Sequence, residues 1–244
     1  MTPRDRPSPN HGPRPGAGII DMLILHYTGM RNAKEALDRL CDPAARVSAH
    51  YLVEEDGTVW RLVAEERRAW HAGVACWAGR RDINGASIGI ELVNPGHEFG
   101  YRPFPEPQMA ALERLCRDIL RRHPIPPRHV LGHSDVAPQR KMDPGELFDW
   151  RRLARAGIGL WPEPSAESGS AAGISALQTQ LAAIGYEVPR SGALDADTAA
   201  VIAAFQRHFR PARCDGVPDG ETGRRIAEVA AAYAGFDLGP LPIT

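Results

Sequence analysis

Short runs with strand-like alternation, interrupted by two helical patterns, occupy the first two thirds of this chain. In IIDMLILH (residues 19–26), Met22, Ile24 and His26 share one strand face, while Leu23 and Leu25 share the other. VSAHYLVEEDGTVWRLV reads as a hairpin, two alternating strands joined at Asp56-Gly57, a pair that suits a tight turn. SIGIELV and HVLGH read as two further short strands. NAKEALDRLC places Ala33, Ala36, Leu37 and Leu40 at helical spacing behind an Asn32/Glu35 capping box. PQMAALERLCRDILRRHP is a second amphipathic helix with Met109, Leu112, Leu115, Cys116 and Ile119 on one face. Its basic end and Pro124 stop it. The first eighteen residues, rich in Pro, Arg and Gly, are expected to run extended over the surface.

The pattern changes at WPEPSAESGSAAG (residues 161–173), which reads as a flexible linker. Beyond it, Ile174/Leu177/Leu181/Ile184, Val201/Ile202/Phe205/Phe209 and Ile226/Val229/Ala230/Tyr233 mark three helices. Gly192, Asp195 and Thr198 in GALDADT recur as Gly216, Asp219 and Thr222 in GVPDGET. This internal repeat sets an Asp or Thr to cap each following helix. The division is therefore an extended segment at 1–18, a larger domain at 19–162, a linker at 163–173 and a small helical domain at 174–238.

Composition narrows the class without naming a function. A chain of 244 residues suits one ordinary domain and a smaller one. A net charge of −1 and the lack of a basic block argue against a nucleic-acid partner. The four cysteines (Cys41, Cys76, Cys116, Cys214) are scattered with no CxxC, so they read as reduced thiols and as poor zinc ligands. The opening MTPRDRPSPNHGPRPG has no apolar core for a signal peptide, and no apolar run approaches the roughly 20 residues of a membrane span. On that ground no export route is visible and the cytoplasm is favoured. A monomer is the default expectation.

Candidate chemistry lies in ionisable residues placed at strand ends. Glu91 sits between Ile90 and Leu92 in a run that otherwise reads as buried, and a buried carboxylate needs a cation or a donor. LGHSDVAPQRKMDPG (residues 131–145) crowds His133, Asp135, Arg140, Lys141 and Asp143 among turn-forming residues. Asp143 precedes Pro144, which favours extended backbone and would send Lys141 and Asp143 to the same side. Two histidines and a carboxylate at strand ends would suffice for a three-ligand zinc site with a fourth position for water. Glu91 would be its base and Lys141 its oxyanion donor, a set suited to amide hydrolysis. The bland readings stand beside these: Glu91 as an edge residue facing water, Lys141 as a solvated cation, and the charged run as a solvated loop. His11, His97, His123 and His208 read most simply as surface groups, and His50 as a satisfied core histidine.

The motifs MLILHYTG, VSAHYLVEEDGTV, AWHAGVACWAGR, SIGIELVNPG and GHSDVAPQRKMDPG, in this order over roughly residues 6–162, closely resemble N-acetylmuramoyl-L-alanine amidases of the zinc amidase (amidase-2) family. The resemblance implies an α/β fold, a mixed central sheet flanked by helices, with one zinc ion in a groove. It assigns the metal to His26, His133 and Asp143, the general base to Glu91 and transition-state stabilisation to Lys141. Phage lysozyme-like relatives carry Cys at the third ligand and lack the strand glutamate, so Asp143 and Glu91 point to the bacterial branch rather than to a phage lysin. LQTQLAAIGY, GALDADTAAVIAAFQ and GVPDGETG resemble a three-helix peptidoglycan-binding domain. That implies a partner in intact or fragmented wall, or muropeptides, and favours the cell envelope, against the missing signal peptide. Arg46, His71 and Asn84 are candidates to line the groove and meet the peptide. Trp70 and Trp77 are read either as sugar-facing wall or as core. A non-catalytic peptidoglycan-recognition protein on the same fold is the second reading.

Overall fold

A six-stranded mixed sheet organises the chain, in a computed structural model that describes residues 2–16, 18–163 and 173–235. Its strands are β1 (Arg4–Asp5), β3 (Met22–Tyr27), β4 (Tyr51–Val53), β5 (Val59–Arg61), β7 (Ser87–Leu92) and β8 (Val130–Gly132), while β2 (His11–Pro13) and β6 (Arg67–Ala69) form a separate pair. The order is β1-β5-β4-β7-β3-β8. Only β4 and β5, the hairpin around Asp56-Gly57, run antiparallel. The turn closes as its residues dictate: Gly57 takes a φ of 87° and Asp56 accepts from the Thr58 amide.

The helices are α1 (Ala33–Cys41), α2 (Ile83–Ala86), α3 (Gly96–Phe99), α4 (Glu106–Arg122), α5 (His133–Val136), α6 (Trp150–Arg155), α7 (Ile174–Ile184), α8 (Ala196–Phe209) and α9 (Gly220–Gly235). Asn32 caps α1 by accepting from the Glu35 amide, and Glu35 accepts from Asn32 Nδ2 and the Arg31 amide. Among the described residues no helix is long and apolar enough to cross a membrane.

Strand alternation splits the core into faces. Leu23 and Leu25 of β3 and Ile88, Ile90 and Leu92 of β7 pack with Met109, Leu112, Cys116 and Ile119 of α4. On the other face, Met22 and Ile24 lie beside Ser87 and Gly89, and His26 lies beside Glu91. Met22, Ile24, Leu131 and Trp77 on that face join Leu177, Leu181, Tyr186 and Phe205 of the C-terminal helices in one continuous core. The helical domain is thus packed on the sheet. The linker read at 163–173 lies, apart from its end residues, outside the described residues.

The N-terminal segment is extended but is built into the fold instead of lying over it. β1 pairs parallel with β5, and β2 pairs antiparallel with β6. Arg14 donates to the carbonyls of Glu65, Asn84, Gly85 and Ser87, which no surface strap would do. His50 is a core histidine. Its Nδ1 accepts from the Gly89 amide, and burial, then the neighbouring Arg14 charge, lowers its pKa to about 3.

At the basic end of α4, Arg122 and His123 reach Glu65, each at 2.7 Å, and Tyr51 donates to the same carboxylate. His123 is therefore a structural partner and not a free surface group. Burial pushes the Glu65 carboxyl up, but these hydrogen bonds and the Arg122 charge outweigh it and hold the pKa at about 2, against an ordinary 4.5. A carboxyl depressed on folding adds stability that is full above pH 4.5 and is lost as pH falls toward 2. Glu65→Gln is expected to cost about 2 kcal/mol near neutral pH, allowing for the half-solvated arginine. The deficit should shrink through that acid window. Urea melts at pH 7 and pH 3 check this, and an equal deficit at both would contradict it.

The candidate metal centre and its groove

Three side chains from three segments meet where the parallel strands β3 and β7 end and β8 gives way to α5. His26 Nδ1, His133 Nδ1 and Asp143 Oδ2 are 3.0 Å apart in each of the three pairings, and all three residues are buried. The loop carrying Asp143 is drawn back by a bond from the Ser134 amide to the Asp143 carbonyl. The Asp143-Pro144 peptide is cis. Gly132 is required at the crossing, because a Cβ there would stand 2.8 Å from Pro144 Cδ.

Hydrogen bonds behind the histidines fix which nitrogen faces inward. His133 Nε2 lies 2.9 Å from the Ala72 carbonyl, which can only accept, so a neutral ring has its lone pair on Nδ1. The Ser87 hydroxyl donates to the Ile83 carbonyl and so accepts from His71 Nε2. His71 Nδ1 then accepts from His26 Nε2 at 3.0 Å. His26 Nδ1 is left bare as well. Burial, reinforced by His133 and opposed by Asp143, lowers the His26 pKa to about 4, which keeps the ring neutral at neutral pH. Burial alone would raise Asp143, but a proton on the facing nitrogen of His133 or His26 holds it well below the usual carboxylate range.

Two bare imidazole nitrogens and an ionised carboxylate facing one another repel unless a cation lies among them. Their 3.0 Å spacing is close to the ~3.4 Å edge of a tetrahedral ligand set with bonds of about 2.0–2.1 Å. The donor set, two nitrogens and one oxygen with outer partners holding each ring, fits zinc.

Glu91 stands beside His26 in register and on the same face of the sheet. Its Oε2 is buried without a partner, and burial together with the Asp143 charge raises its pKa well above the ordinary value, with Lys141 opposing. Glu91 and Lys141 both line the 430 Å³ groove over the three ligand candidates, with Tyr27, Arg39, Ser48, Trp70 and Arg140. Gly89 explains how the floor is built: a Cβ there would lie 2.5 Å from the His71 ring, which crosses the strand at that point.

The structure brings His26, Glu91, His133, Lys141, Asp143 and His71 together and leaves two other candidates elsewhere. Asn84 is buried outside the groove lining, and its Oδ1 accepts from the His71 and Ala72 amides, which ties down that loop. Arg46 is exposed with left-handed backbone (φ 51°) after a short 3-10 turn, and Val47 and Ser48 line the groove in its place. Trp70 lines the groove, whereas Trp77 is core, edge-on to Tyr186. His97 is only partly exposed and bonds Tyr27 and Glu146. His208, read as a surface group, is buried against Asp135. Tyr27 and Arg39 escaped sequence reasoning. Tyr27 is simply the residue after His26, and Arg39 lies on the polar side of an amphipathic helix.

A buried His-His-Asp set at the carboxyl ends of parallel strands, with an unpartnered carboxyl oxygen beside it, suits a metal-assisted hydrolase. The comparisons make the class specific. The family model for N-acetylmuramoyl-L-alanine amidase matches residues 16–146, and the chain belongs to this family. A peptidoglycan binding domain model matches residues 170–226. The chain is 39% identical to N-acetylmuramoyl-L-alanine amidase AmiD of Escherichia coli (strain K12) over 238 residues, covering 89% of this chain and 84% of that protein. It is 34% identical to the 1,6-anhydro-N-acetylmuramyl-L-alanine amidase AmpD of Haemophilus influenzae, over 59% of this chain and 86% of AmpD. Among solved structures, AmiD from E. coli in complex with anhydro-N-acetylmuramic acid-L-Ala-D-gamma-Glu-L-Lys matches with a TM-score of 0.80 at 36% identity, covering 93% of each chain. AmpDH3 from Pseudomonas aeruginosa in complex with anhydromuramic pentapeptide matches at 0.78 and 33%, covering 93% of this chain and 96% of that one.

Proposed function

We propose that this enzyme hydrolyses the amide between the lactyl group of N-acetylmuramic acid and the L-alanine of the stem peptide, with one zinc ion held by His26, His133 and Asp143. The observation that carries the metal assignment is the convergence of two lone-pair nitrogens and a carboxylate oxygen on one point. A zinc ion held by these three residues would supply Lewis-acid chemistry and would lower the pKa of water toward neutrality. Glu91, with a buried oxygen that lacks a partner, takes the proton of the attacking water and passes it to the departing alanine nitrogen. Its raised pKa suits both halves of that exchange. The Lys141 ammonium offsets the charge that develops on the amide oxygen. His71 keeps His26 in the required tautomer, and Asn84 keeps His71 in place.

The muropeptides bound to AmiD and AmpDH3 support peptidoglycan fragments as the substrate class. We further assign catalysis to residues 19–162 and wall attachment to residues 174–238, joined by 163–173. The test is release of free stem peptide from a muropeptide before and after chelation. Release should stop when metal is removed and return with added zinc. Persistence after verified removal would overturn the metal assignment, and no release from zinc-loaded enzyme would overturn the substrate.

A further inference from the structure

Asp135 lies two residues beyond His133 and is 1% exposed. It accepts from the Gly132 amide at 2.7 Å, at the point where β8 turns into α5. Its other two donors come from the C-terminal domain: the Tyr186 hydroxyl at 2.6 Å and His208 Nδ1 at 2.7 Å. The His208 ring is held between Trp150, at a centroid distance of 3.8 Å, and Phe209, at 4.0 Å. Around this node the two domains share backbone and core. Ala78 donates to the Gly185 carbonyl, and a Cβ on Gly185 would meet Trp77 at 2.7 Å. Leu131, Val136 and Ala137, flanking the ligand-bearing turn, pack in one core with Leu177, Tyr186 and Phe205.

A module that only tethers an enzyme to the wall needs no contact with the catalytic loop, and burying a carboxylate is costly unless its partners are well placed. Here the helical domain supplies two of three donors to a carboxylate whose third partner is the turn before His133. We infer that the C-terminal domain is a buttress of the metal centre, with Tyr186 and His208 as positioning residues. Through Asp135 they fix the Gly132-His133 turn, and with it the placement of His133 against His26 and Asp143. Removing either donor leaves part of a buried carboxylate unpaired and lets the turn relax. The inference rests on His133 being a metal ligand, as proposed above.

Four full-length variants test it: Tyr186→Phe, Tyr186→Phe/His208→Gln, Glu187→Gln and His133→Ala. Each is checked for folding by thermal melt. Cobalt(II) affinity is read by visible absorbance, kcat and KM on a muropeptide at saturating zinc, and wall binding by sedimentation with insoluble peptidoglycan. Glu187→Gln removes an exposed ion pair with Arg81 across the same domain boundary without touching the node. The double variant is expected to lose cobalt affinity by about tenfold to a hundredfold, the range for partners behind metal ligands. Its kcat should fall while KM and sedimentation stay at parental values, and Glu187→Gln should match the parent throughout. If the double variant does not fold, Tyr186→Phe carries the test, with a loss of about tenfold expected. A folded variant that binds cobalt as the parent does, or an equal loss in Glu187→Gln, overturns the buttress. Retained affinity in His133→Ala would instead overturn the metal assignment beneath it.

Discussion

His133→Ala is expected to lose bound metal and turnover together. The substitution removes one of three converging ligands, and two cannot hold the ion against competition from water and buffer. The His133 bond to the Ala72 carbonyl goes as well, freeing the loop after the His71 segment. Metal content by atomic absorption and stem-peptide release measured on one sample decide the matter. Full metal content in the variant would show that the ion is held elsewhere.

Glu91→Gln should separate the metal from the proton transfer. The amide matches the carboxylate in shape but cannot accept the proton, so turnover is expected to fall by about 10²–10⁴-fold, with metal content unchanged. Stability should move the other way. A carboxyl whose pKa is raised on folding opposes folding at neutral pH, where the unfolded chain carries it ionised. The metal-free variant is therefore expected to melt above the metal-free parent. Activity and stability moving in opposite directions mark a residue kept for chemistry at a cost to the fold. Loss of both would indicate a packing role, and unchanged turnover would remove Glu91 from the mechanism.

Much of this site was legible in local pattern. A period of two assigns His26 a face of β3, and an acidic residue in an apolar strand marks Glu91 as needing an explanation. The Asn32 cap and the Asp56-Gly57 turn were equally readable, since capping and turn chemistry act over three or four residues. What was not legible depends on distant partners. His208 sits on α8 among Phe205, Gln206 and Phe209, all buried, yet its partner Asp135 is 73 residues earlier. The proline- and arginine-rich opening concealed Arg14, whose four carbonyl acceptors lie in the loop before β6, in α2 and at the start of β7. The helical repeat held a further member. Gln178 bonds the Gly192 amide and Thr198 hydroxyl, and Gln206 bonds the Gly216 amide and Thr222 hydroxyl. The unequal distance from each Gln to its Gly hid the correspondence.

The sheet's outer positions bear on solubility. A bare sheet edge is a template on which another chain can add a strand, the usual first step of aggregation. In this protein the two outermost strands are β1, only two residues long and made of Arg4 and Asp5, and β8, only three residues long. A newcomer meets opposite charges and two or three rungs on which to register. The more apolar β3, β4 and β7 lie inside the sheet, shielded on both flanks.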